Sequence, residues 1–138
     1  MRYRLTWLLG VIGLLGACGQ PTAPNRVTLD LELAPVSTPT AEVTYYFTVL
    51  NASAATIYLP ACADVVRPTF HIVGPGDTRD RLSLMCPANV SMSAVALAPG
   101  AHYDGSGLLT PRQGARFTPS VSYARAPGDL PSFAATAP

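Results

Sequence analysis

RVTLDLELA, residues 26–34, and EVTYYFTVLN, residues 42–51, decide the fold class between them. In the first, Val27, Leu29, Leu31 and Leu33 fall on one side, and Thr28, Asp30 and Glu32 on the other. Alternation with a period of two is the pattern of a strand with one buried face. The second stretch repeats it, with Val43, Tyr45, Phe47 and Val49 inward and Thr44 and Thr48 outward. Tyr46 and Leu50 interrupt its polar side, so this strand is expected to be partly covered on both faces. PVSTPT, residues 35–40, joins the two as a loop. Working outward, the same reading places strands at Thr56–Leu59, Thr69–Val73 and Leu82–Cys86. Less regular strands follow at Ser93–Leu97, His102–Leu108, Ala115–Tyr123 and Ser132–Thr136. Pro119 cannot donate to a ladder, which points to an edge or a bulge in that part of its strand. Apart from the first 17 residues, no stretch carries a helical period. Short strands punctuated by Gly and Pro argue an all-β sandwich or small barrel. The expected inward set is Val27, Leu29 and Leu31, then Val43, Tyr45, Phe47 and Val49, and then Ile57, Leu59, Phe70, Ile72, Leu82 and Leu84.

The front of the chain reads differently. Arg2 and Arg4 precede an uncharged apolar run, Leu5 to Gly16, which ends in small residues. The run is too short to span a bilayer, which takes about 20 residues. A positive flank, a short apolar core and a small-residue end make a secretory signal. Leu15-Gly16-Ala17-Cys18 resembles the lipobox of bacterial lipoproteins. That resemblance implies cleavage before Cys18, a diacylglyceryl group on its thiol and an acyl chain such as palmitate on its new amine. Two or more acyl chains hold a protein stably on a membrane. Residues 1–17 are therefore expected to be a lipoprotein signal, 18–25 a lipidated cysteine and tether, and 26–138 one domain. In enteric bacteria an Asp after that cysteine retains lipoproteins in the inner membrane. Gly19 stands there instead, which points to the outer membrane if the source has two.

Removing the first 17 of the 138 residues leaves 121, enough for one domain to bury about two thirds of its unfolded surface. That part holds seven Arg against eight Asp or Glu, a net −1, and the chain has no Lys. No run of basic residues occurs, so nucleic-acid binding is not expected.

Cys62 and Cys86 are the remaining cysteines. In an exported protein an even pair is expected to be a disulfide, with Cα atoms about 4.4–6.8 Å apart. It would close a loop of about 25 residues, worth roughly 3–4 kcal/mol by chain entropy. Inside that loop, GPGDTRDR, residues 74–81, is expected to be a hairpin tip. Its charged residues, Asp77, Arg79, Asp80 and Arg81, form the candidate recognition loop.

Other chemistry finds little footing. His71 and His102 are the only histidines, and with Cys62 and Cys86 they lack the close ligand pairs of structural zinc sites. No metal and no cofactor is expected. YDGSG, residues 103–107, is not the Gly-x-Ser-x-Gly elbow of hydrolases. His102, Asp104 and Ser106 share one side of an extended strand, but neighbours along it stand about 7 Å apart, too far for a catalytic triad. No catalytic residue is assigned.

From Val27 to Tyr123 the order of motifs resembles the BsuPI-type proteinase-inhibitor family. Val49-Leu50-Asn51-Ala52-Ser53 matches its corner between two strands, FHIVGPGD its strand and Gly/Asp turn, and Leu97-Ala98-Pro99-Gly100 its turn before the last hairpin. The family often carries a Trp after that turn, whereas the only Trp here is Trp7. Gln113-Gly114-Ala115-Arg116 stands where the family has P-G-x-Y. The resemblance implies an immunoglobulin-like antiparallel β-sandwich and, through the family's name, protease inhibition, with no inhibitory residue assigned. The functional expectation is a non-enzymatic, lipid-anchored module of the cell envelope that binds or supports. Its expected partners are the membrane, through Cys18, and an envelope protein; the alternative is a protease inhibitor presenting residues 74–81. The sequence leaves the oligomeric state open.

Overall fold

The computed structural model describes residues 26–35, 42–83 and 86–137. The expected leader, Cys18 with its tether, Leu84 and Met85 lie outside the described residues. The strands are β1 (Val27–Leu33), β2 (Val43–Asn51), β3 (Ile57–Cys62), β4 (Val65–Val66), β5 (Thr69–Val73), β6 (Arg79–Leu82), β7 (Met92–Leu97), β8 (His102–Leu109), β9 (Arg116–Tyr123) and β10 (Phe133–Thr136). The only helical turn among the described residues is a 3-10 turn at Pro75–Asp77.

Three sheets form, ordered β1-β2-β8, β10-β9-β5-β6 and β4-β3-β7, and every pair is antiparallel. Tyr58 and Ala124 exchange two backbone hydrogen bonds of 2.9 Å, which tie β3 to the chain leaving β9. This bridge joins the second and third sheets, and both pack against the first. The molecule is an all-β antiparallel sandwich.

One core lies between the layers. Leu29, Tyr45, Phe47 and Val49 come from the first sheet, Phe70, Ile72 and Val121 from the second, and Ile57 and Leu59 from the third. Fully burying a Leu, Ile, Val or Phe is worth about 1.5–3 kcal/mol, so these side chains hold the layers together. Tyr45 meets Phe70 edge to face, with ring centroids 5.1 Å apart. Gly105 and Gly107 make room for this cluster, being paired with Phe47 and Tyr45 in the β2–β8 register. A Cβ on Gly105 would stand 2.5 Å from the Phe47 ring, and one on Gly107 would strike the Tyr45 hydroxyl. The glycines of YDGSG are there so that two aromatic rings can lie across β8.

The corner at Asn51 is held by its own side chain. Asn51 is fully buried; its Nδ2 donates to the carbonyls of Ala55 and Leu97, each at 2.8 Å. Its Oδ1 accepts from the Ser53 amide at 3.1 Å and from the Ser53 hydroxyl. Its backbone accepts from the Gly100 amide at 2.7 Å and donates to the Ala101 carbonyl at 3.0 Å. Gly100 turns there at φ 77°, a conformation that favours glycine. The corner Val49–Ser53 and the turn Leu97–Gly100 are thus bonded to each other through one residue.

Several expectations need correcting. Tyr46 and Leu50 are 54% and 38% exposed, so the outer face of β2 is open. Leu33, on the apolar side of β1 but outside the expected inward set, is 51% exposed at the end of an edge strand. The expected strand Leu82–Cys86 is instead Arg79–Leu82, and Leu82 is 41% exposed on the edge strand β6. The hairpin closes earlier than the charges suggest: Gly74 N donates to the Thr78 carbonyl at 2.8 Å, and Val73 pairs with Arg79. Pro119 is buried in a strand paired on both sides, not exposed at an edge. Its own carbonyl accepts from Ala137 N at 3.2 Å, so its missing donor faces β10 just past the end of that ladder. Val65–Val66, which carries no alternation, forms a two-residue strand missing from the expected set.

Candidate functional site

Alternation sorts the charges as well as the core. Cross-strand partners share a face, so β5, β6 and β9 place Val73, Arg79 and Arg116 in one outer row and His71, Arg81 and Thr118 in the next. Asp80 is the only carboxylate in these strands, and it falls in the Ile72–Phe117 row of the opposite face. Three arginines and His71 therefore share one outer face with no acid among its strand residues. This corrects the impression of dispersed charge left by the linear sequence.

The next outer row, Thr69 and Ser120, is buried, and the Ser120 hydroxyl bonds to the Thr69 carbonyl at 3.4 Å. Residues 86–90 and this end of the sheet together line a half-open cleft of about 540 Å³. Arg67 and Arg81 line it with the hydroxyl residues Thr69, Ser83 and Ser122, and Val90, Met92 and Pro131 add apolar wall. Arg67 precedes Pro68, which favours an extended backbone there. Both arginines are exposed, and among the described residues neither guanidinium has a carboxylate within 4.0 Å. Met92, at the rim, is 75% exposed.

The cleft wall is fixed at several points. Cys62 and Cys86 form the expected disulfide, with Cα atoms 5.5 Å apart, and Cys86 lines the cleft. Ala63 and Asp64 join β3 to β4 as a two-residue turn with both φ values positive, 47° and 65°. Such turns match strand twist but usually use Asn or Gly. Here Ala63 N donates to the Ser91 carbonyl at 3.3 Å and Asp64 N to the Ser93 hydroxyl at 2.9 Å. These bonds hold the strained turn and the far end of the wall together.

The candidate recognition loop divides into two parts. Asp77 sits in the exposed 3-10 turn at φ 57°, whereas Arg79, Asp80 and Arg81 belong to β6. Asp80 accepts from the Arg81 backbone amide at 2.7 Å and from the Arg112 guanidinium at 2.9 Å. The backbone bond first, and the Arg112 bond second, hold its carboxyl below the ordinary range. Of the four residues, Arg81 alone reaches the cleft. Burial raises the Tyr45 hydroxyl above its ordinary value, and the nearby Arg67 charge partly offsets this.

On the opposite sheet, His102 and Asp104 come within 3.4 Å because their side chains lean together, closer than their spacing along the strand suggests. Thr48 donates to Asp104 at 2.6 Å. Asp104 thus lies between His102 and Ser106, and a triad needs the histidine in the middle. This row is exposed polar surface. The disulfide takes up both thiols of the conceivable Cys2His2 set. No protein-family model matches the chain, and none of the curated proteins is detectably similar to it.

Sequence reasoning missed Arg67 and the cleft. The signal for Arg81 was present: RDR has the spacing that puts Arg79 and Arg81 on one face of a strand, but it was read as a turn.

Proposed function

We propose that this protein is a non-enzymatic module of the cell envelope, anchored by lipid on Cys18, that works by binding. The observation that carries the binding part is the stapled cleft with two guanidinium groups that meet no carboxylate among the described residues. A surface that served only as structural support would have no need of such a half-open, charged pocket. The lipobox resemblance of Leu15–Cys18 supports the anchor, and the Asn51 corner bonded to the Leu97–Gly100 turn supports an immunoglobulin-like domain of the BsuPI type. The test has two arms. Wild-type protein should fractionate with membranes, and Cys18→Ser should be released or remain uncleaved; wild-type protein soluble after export without detergent overturns the anchor. In a pull-down from envelope extract, wild type should retain a component that the Arg67→Gln/Arg81→Gln double variant loses. Identical retention by both overturns the binding role of the cleft.

Protease inhibition by residues 74–81 is the second reading, favoured by the exposed hairpin tip and its Asp80–Arg112 brace. Against it, the tip is a compact 3-10 turn, whereas β-augmentation and similar cleft binding use an extended segment. A protease panel tests it: inhibition abolished by Asp77→Ala/Arg79→Ala would establish this reading.

A further inference from the structure

We infer that the cleft takes a small amphiphilic anion, with a carboxylate or phosphate head between Arg67 and Arg81 and an aliphatic body against Val90, Met92 and Pro131. The inference rests on the binding-module reading and goes beyond it by naming the ligand chemistry. The guanidinium group is a planar fork of donors that matches the two oxygens of a carboxylate or phosphate, and Arg holds its charge at any working pH. Two such groups line one pocket, and neither meets a carboxylate among the described residues. The one arginine paired among the described residues, Arg112 with Asp80 at 2.9 Å, lies outside the cleft.

The rest of the pocket favours a ligand with an apolar part. Val90, Met92 and Pro131 offer apolar wall, and the thioether of Met92 adapts to irregular aliphatic shapes. The hydroxyl residues Thr69, Ser83 and Ser122 add polar atoms between wall and arginines. A mainly apolar lining with a few convergent polar groups, in about 540 Å³, fits the usual dimensions of a small-molecule site. The disulfide at Cys86 and the bonds from Ala63 and Asp64 hold one wall in place before any ligand arrives. That lowers the ordering cost of binding. A polyanionic chain would instead run along the outer arginine row at Arg79 and Arg116, outside the cleft.

The test uses the mature protein in neutral detergent micelles, labelled with carbon-13 at the methionine methyls. Met92→Leu assigns the reporter signal. Four probes are titrated: octyl phosphate, octanoate, inorganic phosphate and octyl glucoside, the last controlling for partition into micelles. Octyl phosphate or octanoate should shift the Met92 methyl saturably, and the glucoside should not. Arg67→Gln and Arg81→Gln should each weaken that binding by at least about tenfold, the effect of losing one charge-assisted hydrogen bond. Both residues are exposed, so neither change threatens the fold. Equal binding of the glucoside overturns the anionic head, and equal binding of inorganic phosphate overturns the aliphatic body. No shift with any probe overturns the inference outright. That failure is separate from failure of the binding-module reading, which the pull-down with the double variant decides.

Discussion

Replacing Asn51 with alanine removes four side-chain hydrogen bonds from the point where β2 turns toward β3. The Leu97 carbonyl and the Ser53 amide lose buried bonds, whereas the Ser53 hydroxyl, whose lost bond is also buried, keeps the Ala55 carbonyl at 3.0 Å. A buried polar group left without a partner costs about 1–3 kcal/mol, so the Leu97 carbonyl and the Ser53 amide together cost about 4 kcal/mol. The Ala55 carbonyl is only partly buried and regains water, so it adds little. Against a total stability of about 5–15 kcal/mol, the loss is large. With a urea slope of about 1–3 kcal/mol per M, the unfolding midpoint should fall by on the order of 2 M. Ser53→Ala is the comparison, because it removes one hydroxyl donor and leaves Asn51 its other partners. It should cost about 1 kcal/mol. Urea unfolding followed by far-ultraviolet circular dichroism measures both. An Asn51→Ala cost below about 1 kcal/mol, or equal to that of Ser53→Ala, would refute the claim that this side chain locks the corner to the Leu97–Gly100 turn.

Gly107→Ala should destabilise by about 1–3 kcal/mol through overpacking against Tyr45, despite the helpful loss of unfolded-chain freedom, and a stabilised variant in thermal unfolding would contradict the packing role. Reducing the Cys62–Cys86 bridge should lower stability by roughly 3–4 kcal/mol; unchanged urea midpoints with and without reductant would show that the staple is idle. The folded Asp80 carboxyl titrates below its ordinary value, so its contribution is full above that value and is lost as pH falls through the lowered one. Carbon-13 titration should find the Asp80 midpoint raised in Arg112→Gln but still below ordinary, because the larger cause, the Arg81 backbone bond, remains.

The core was legible wherever a strand has one covered face. Leu29, Val43, Tyr45, Phe47, Val49, Ile57, Leu59, Phe70 and Ile72 recur at every second position of their strands, and all are buried. The reading failed where an apolar residue lies at an edge, as at Leu82. There the pleat puts the side chain on the core side, but no opposing layer reaches it. Alternation reports the direction of a side chain and is silent about what stands opposite. Tyr46 and Leu50 are the converse case: they mark no second layer, only apolar residues on an open face. The disulfide was legible for a different reason, since compartment chemistry leaves two exported thiols few other fates.

The cleft was hidden because no single stretch of chain contains it. Arg67 comes from the connection between β4 and β5, Arg81 from β6, Ser122 from β9 and Met92 from β7. Arg67 and Ser122 are each the only charge or hydroxyl of the cleft in their own segment, and Arg81 reads as part of a charged hairpin tip. What gathers them is the wall of residues 86–92, which the Cys62–Cys86 bridge and the bonds from Ala63 and Asp64 to Ser91 and Ser93 hold in place. The features that looked purely structural in the sequence, a cysteine pair and a nondescript Ala-Asp, therefore set the position of the pocket wall. It follows that reduction of the bridge should loosen ligand binding at Met92 as well as lower stability. The two effects should appear together, since one covalent bond both closes the loop and fixes the cleft.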